Sequence, residues 1–171
     1  MNIRTTFSKW FLPLAVFCSF AVMQIQLQAQ ATNLAIAPPA VEMADQQVLK
    51  VYYFHGNVRC TSCELIEKYT TQAINTGFAD QMAQGFVELT TVNLEARGNS
   101  HFIEDFQLIT RSVVIAIEEH GETMQYRRLD RVWELVTDKQ DFQNYLYQQI
   151  GELTDTRQTS RDNTNGALPH G

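Results

Sequence analysis

The sequence predicts an α/β domain built on a mixed, four-stranded sheet flanked by helices. Apolar runs of strand length alternate with stretches whose apolar residues recur at helical spacing, a Gly-containing turn joins the last two strand-like runs, and a long amphipathic stretch closes the chain's core. Strands joined by a helical crossover are expected to be parallel, and a hairpin adds an antiparallel edge.

Taken in order, residues 48–54 form a nearly continuous β-branched and aromatic run, the mark of a strand covered on both faces, ended by Gly56 and Asn57. Residues 60–76 place Leu65, Ile66, Tyr69, Ala73 and Ile74 on one helical face, with Gly77 expected as a left-handed helix end. Thr61 and Glu64 match a capping box that opens this helix. A second strand is expected over 86–94. A short helix over 99–108 should turn Phe102, Ile103 and Phe106 inward, and a buried strand over 112–117 follows. Residues 118–122 read as a hairpin turn around Gly121, and 123–129 as a strand with one wet face. The last helix is expected from a Thr137/Gln140 capping box to Leu153.

The two ends read differently. Residues 1–31 have a basic start (Arg4, Lys9), an apolar run over 10–23 and the small-x-small sequence Ala29, Gln30, Ala31, the three parts of a secretory signal. The apolar run is shorter than the roughly 20 residues a membrane-spanning helix needs. Cleavage after Ala31 and a periplasmic or extracellular location are expected, with a retained N-terminal anchor as the alternative. Residues 32–47 read as a flexible linker, 48–153 as the domain, and 154–171 as a disordered polar tail.

Of 171 residues, 13 are basic and 19 acidic, a net charge of -6; loss of Arg4 and Lys9 leaves 11 against 19. Such a chain lacks the electrostatic footprint of a nucleic-acid binder, and none is expected as a partner. Loss of Cys18 with the signal leaves Cys60 and Cys63 as a single pair, in a compartment that favours oxidised thiols.

A Cys-x-x-Cys pair at a helix start has direct chemical consequences. Unpaired helix amides favour the thiolate, the nucleophilic form. Cys60 follows a polar loop and is expected to attack a partner's disulfide. Cys63, most of a turn further in, is expected to resolve the mixed disulfide. Arg59 should lower the thiol pKa and Glu64 raise it. Thr61 and Ser62 lie between the cysteines, and His55 is expected on the rim as a base or as a loop histidine tied to the backbone. A purely structural disulfide closing so short a ring would stabilise the fold by about 2 kcal/mol at best. The competing class is a metal-binding or metallochaperone module, whose further ligands would be His55, His101 or His120.

Strand, Cys-x-x-Cys at a helix start, and closing hairpin plus helix together resemble the thioredoxin fold over residues 48–153. More narrowly, the stretch VYYFHGNVRCTSC at 51–63, with NSHF at 99–102 and TRSVV at 110–114, looks like the bacterial family labelled nitrophenyl compound nitroreductase subunit ArsF. The resemblance implies a membrane transporter of the thiol-disulfide interchange (DsbD-like) type as electron-donor partner; a protein thiol or disulfide partner and a monomeric chain are expected. It also marks departures: Phe54 stands where thioredoxins carry a buried acid, and Ser112 where they carry a cis-proline, which would bring a hydroxyl close to the sulfurs. Nitro reduction usually needs a flavin or similar cofactor; the chain shows no Gly-rich dinucleotide fingerprint, so no cofactor is expected and an electron-carrier role is implied. The Tyr52, Tyr53, Phe54, Tyr145 and Tyr147 aromatics read as core and rim, and Arg127, Arg128 and Arg131 as charges protecting an edge strand.

Overall fold

A computed structural model describes residues 34–44 and 46–165; the expected signal over 1–31, with Cys18, and the end of the expected tail, 166–171, lie outside them. The elements are β1 (Gln47–His55), α1 (Thr61–Gly77), α2 (Ala79–Ala83), β2 (Val87–Asn93), α3 (His101–Asp105), β3 (Val113–Glu119), β4 (Glu122–Arg128), α4 (Val132–Leu135) and α5 (Lys139–Asn165). The sheet has the order β2-β1-β3-β4, so β1 and β3 are central. The predicted α/β class with a mixed four-stranded sheet is what forms; α2 and α4 are additions the sequence pattern did not announce.

The two crossovers behave differently. β1 and β2 are parallel, in register from Leu49 against Val87 to His55 against Asn93. β3 runs antiparallel to β1, pairing Tyr53 with Val113, so the expectation of parallel strands fails for the second crossover. A seven-residue strand covers about 23 Å; the five residues of α3 rise only about 7–8 Å along their axis, and the chain re-enters the sheet from the end at which it left. The 17 residues of α1, rising about 25 Å, return it fully. As a result the end of β1 and the start of β3 lie side by side, and the Phe54 amide donates to the Ser112 carbonyl at 2.9 Å.

Strand alternation divides the core in two. Leu49, Val51, Tyr53, Val113, Ile115 and Ile117 face α1 and α5, packing with Ile66, Ile74, Phe142, Leu146 and Ile150. Tyr52, Phe54, Val92, Val114 and Ala116 face the other way, against Phe102 and Phe106 of the α3 region. Ile103, expected to turn inward, is exposed; α3 is too short to bury more than one side. β4 joins β3 through His120 and Gly121, with φ of 55° and 83°, the backbone a two-residue hairpin turn requires.

Several local expectations are corrected. Gly77 does not adopt a left-handed conformation: it lies within α1, where a Cβ would come 2.6 Å from the Tyr147 hydroxyl and 3.1 Å from Pro38, so glycine is there for close approach. The segment expected as a linker is docked on the helical layer. The Ile36 amide donates to Asn144 Oδ1 at 2.8 Å, Val41 joins the core, and Gln47 is already strand. At α5, Asp138 displaces Thr137 as the cap: its Oδ1 accepts from the Gln140 and Asp141 amides at 2.8 and 3.0 Å, while the Gln140 side chain reaches forward to Asn144. α5 then runs to Asn165, through much of the expected disordered tail, because no Gly or Pro interrupts residues 152–165.

Candidate functional site

The loop after β1 delivers the cysteine pair to the end of the sheet where β3 begins. Cys60 and Cys63 form a disulfide with Cα atoms 5.0 Å apart. Cys60, rather than Thr61, is the cap of α1: its backbone is extended (φ -117°, ψ 162°) and its Sγ accepts from the Cys63 amide at 3.2 Å. The expected Thr61/Glu64 box is overtaken because sulfur occupies the cap position one residue earlier. Cys60 is exposed, whereas Cys63 is 3% exposed. The sulfur nearest solvent is therefore also the one that receives a helix-start N–H, which stabilises charge on it once the disulfide opens.

Beneath the pair lies Tyr53, which the sequence reading counted among the core and rim aromatics. Its hydroxyl donates to the Cys63 carbonyl at 2.7 Å. Phe54, expected at the position of a buried acid, points to the opposite face and stacks on Tyr52 at 5.5 Å. Counting six residues back from Cys60 lands on the wrong face; strand parity places the odd-numbered residue under α1. Burial pushes the Tyr53 phenol up, Arg59 and Arg111 pull it down, and Glu64 adds to the rise.

Arg59 sits over the Tyr53 ring, 5.8 Å from its centre, and is bound by Glu67. Its charge, expected to act on the thiol, is thus shared with a carboxylate. Glu67 was visible in the sequence as the residue at helical spacing after Cys60 and Cys63. Thr61 and Glu64 are exposed and Ser62 is half-buried.

Ser112 is fully buried, with its hydroxyl donating to the Leu129 and Val113 carbonyls at 3.3 and 3.5 Å. Its hydroxyl is thus engaged by carbonyls of the β3–β4 layer, and no peptide bond among the described residues is cis. Next to it, Arg111 pairs with Glu95 at 3.2 Å across Gly56, and its carbonyl accepts from Trp133 Nε1 at 2.8 Å. Gly56, Glu95, Arg111, Leu94, Leu108 and Ile109 line a cavity of about 410 Å³ beside the loop that carries the cysteines.

The three described histidines lie at separate places in the fold. His55 Nδ1 meets the Gly56 carbonyl at 3.0 Å, His101 pairs with Asp105, and His120 is in the hairpin turn. Among the described residues no group of three or more His, Cys, Asp and Glu side chains is placed to hold a metal ion. Among the described residues, His55, His101 and His120 are therefore not grouped with the cysteines. On the far face, a second cavity of about 510 Å³ is lined in part by Lys50 and Tyr52, both bonded to Glu118. The basic cluster is likewise engaged: Arg127 with Glu152 on α5, Arg128 with Asp130, and Arg131 with Glu134.

No protein-family model matches the chain, and no curated protein does. Three solved structures similar to it are thioredoxins. Thioredoxin O2 from Arabidopsis thaliana, in its oxidised state, is 17% identical with a TM-score of 0.34, over 53% of this chain and 70% of that one. Thioredoxin f2 from Chlamydomonas reinhardtii is 15% identical with a TM-score of 0.33, over 56% and 82%. Thioredoxin-2 of the malaria parasite, titled a component of protein secretion machinery, is 14% identical with a TM-score of 0.31, over 57% and 87%. The thioredoxin-like assignment rests on this chain's own strand order and on a cysteine pair capping the helix after the first strand.

Proposed function

We propose that this chain is an exported thiol-disulfide exchange protein that carries electron pairs to or from a dedicated protein partner. The carrying observation is the asymmetry of the pair: an exposed Cys60 at the helix cap, its sulfur accepting the Cys63 amide, and a buried Cys63 behind it. In the reduced protein, the Cys60 thiolate attacks one sulfur of a partner disulfide and the other partner sulfur leaves as thiolate. Cys63 then loses its proton and attacks Cys60 Sγ, which releases the partner's second thiol and leaves the Cys60–Cys63 disulfide. Two electrons and two protons pass from one dithiol to the other, and the reverse sequence recharges the protein.

The partner class is supported by the resemblance of residues 51–63 to the ArsF-labelled family, which points to a DsbD-like membrane donor, and export by the signal grammar of residues 1–31. The test is trapping in cells: Cys63→Ser should accumulate a mixed disulfide on Cys60 with an exported or membrane partner. An adduct carried instead by Cys63 in the Cys60→Ser protein reverses the roles, and no adduct in either variant refutes the reading.

A further inference from the structure

We infer that Glu67 sets the reduction potential of the Cys60–Cys63 couple by neutralising Arg59, an inference that rests on the exchange chemistry proposed above. Arg59 immediately precedes the cap cysteine. Its guanidinium lies over the ring of Tyr53, whose hydroxyl holds the Cys63 carbonyl. Glu67 reaches back from the second turn of α1 to bind that guanidinium. The two side chains are 29% and 32% exposed, and Arg59 Nε is buried without an acceptor among the described residues. Charges held this far out of water are screened less than surface charges, so they act strongly on groups at the helix start.

The other charged groups facing this cluster are Arg111, paired with Glu95, and the exposed Glu64 of the first turn of α1. Both arginines that act on Tyr53 are therefore held by carboxylates. Only the reduced state carries a negative charge on Cys60. An uncompensated Arg59 would stabilise that thiolate, favour the dithiol and make the couple a stronger oxidant. Glu67 cancels this gain and keeps the couple reducing. It acts through Arg59 and is a positioning residue.

The test is the equilibrium of the full chain with a glutathione redox series, for the unaltered protein, Glu67→Gln, Arg59→Gln and the double variant. Gln at 67 retains an oxygen for the guanidinium and removes only the charge. Glu67→Gln should shift the equilibrium constant about tenfold toward the dithiol, which corresponds to about 30 mV for a two-electron couple. Arg59→Gln should shift it the other way, since Glu67 then faces the thiolate alone, and the double variant should return close to the starting value. Glu67→Ala, which removes the contact altogether, should shift in the same direction as Glu67→Gln. Alkylation of Cys60 by iodoacetamide should follow, with its pH midpoint lower in Glu67→Gln and higher in Arg59→Gln. A reversible couple unmoved by Glu67→Gln, a shift that persists at full size in the Arg59→Gln background, or single variants shifting in the same direction would overturn the inference. An unaltered protein with no reversible couple overturns the exchange reading itself, and this inference with it.

Discussion

Tyr53 and Cys63 are joined by a hydrogen bond that crosses from sheet to helix, the phenol donating to the cysteine carbonyl at 2.7 Å. It fixes the first turn of α1 against β1, and so fixes the height of the buried sulfur relative to the sheet. Tyr53→Phe keeps the ring in the core and removes only this bond. The oxidised protein should lose about 1 kcal/mol, read as a lower urea midpoint with an unchanged slope; an unchanged midpoint would show that the bond adds nothing to the fold.

Cys60 and Cys63 should separate in reactivity. In the reduced protein, Cys60 should be alkylated first, because it is exposed and receives the Cys63 amide, while Cys63 is almost wholly covered. Mass mapping after a brief iodoacetamide pulse checks this, and preferential labelling at Cys63 contradicts it.

Gly56 gives the Arg111–Glu95 pair the space it occupies, since an added Cβ would collide with both side chains. Gly56→Ala should break the pair. Because the pair is exposed, stability should change by less than about 1 kcal/mol. The cavity beside the cysteines is reshaped, however, so exchange with the trapped partner should slow while the potential against glutathione stays the same. Equal slowing with glutathione and with partner would place the defect at the cysteines instead.

Ser112→Ala removes the hydroxyl that donates to the Leu129 carbonyl. The expected result is a loss of about 1 kcal/mol in stability with no change in the glutathione equilibrium. A shifted equilibrium would return Ser112 to the redox machinery.

Alkaline pH should weaken the fold through the far-face cluster. Burial, the hydrogen bond to Glu118 and its negative charge raise the Tyr52 phenol above its usual 10.0. Burial pulls the Lys50 ammonium down, but Glu118 and Glu88 outweigh it and leave it raised above 10.5. Both groups hold their protons more tightly folded than unfolded, so their contribution is complete below about pH 10 and is lost as pH rises beyond it. Urea midpoints across pH 8 to 11 should fall at the alkaline end, and less steeply in Tyr52→Phe.

Most of the site was legible from residue order. A strand, a polar loop and a cysteine pair at a helix start fixed where the chemistry sits, since helix-start amides and sequence spacing are local properties. What the sequence could not resolve were choices between near-equivalent local options. Cys60 and Thr61 both qualify as caps, as do Asp138 and Thr137, and only the path of the chain into each helix selects one.

The alternation of β1 by itself determined that Tyr53 and Phe54 point to opposite faces, and the 60, 63, 67 spacing put Glu67 on the cysteines' side of α1. Only the tertiary structure decided which face α1 covers, and hence that Tyr53 rather than Phe54 lies under the disulfide. It also decided that β3 re-enters beside β1 from the same end, which brings Arg111 and Ser112 to the cysteine loop, and that Arg59 is held by Glu67. These are long-range pairings, set by which strands pair and by which charges packing brings together, and no local pattern encodes them.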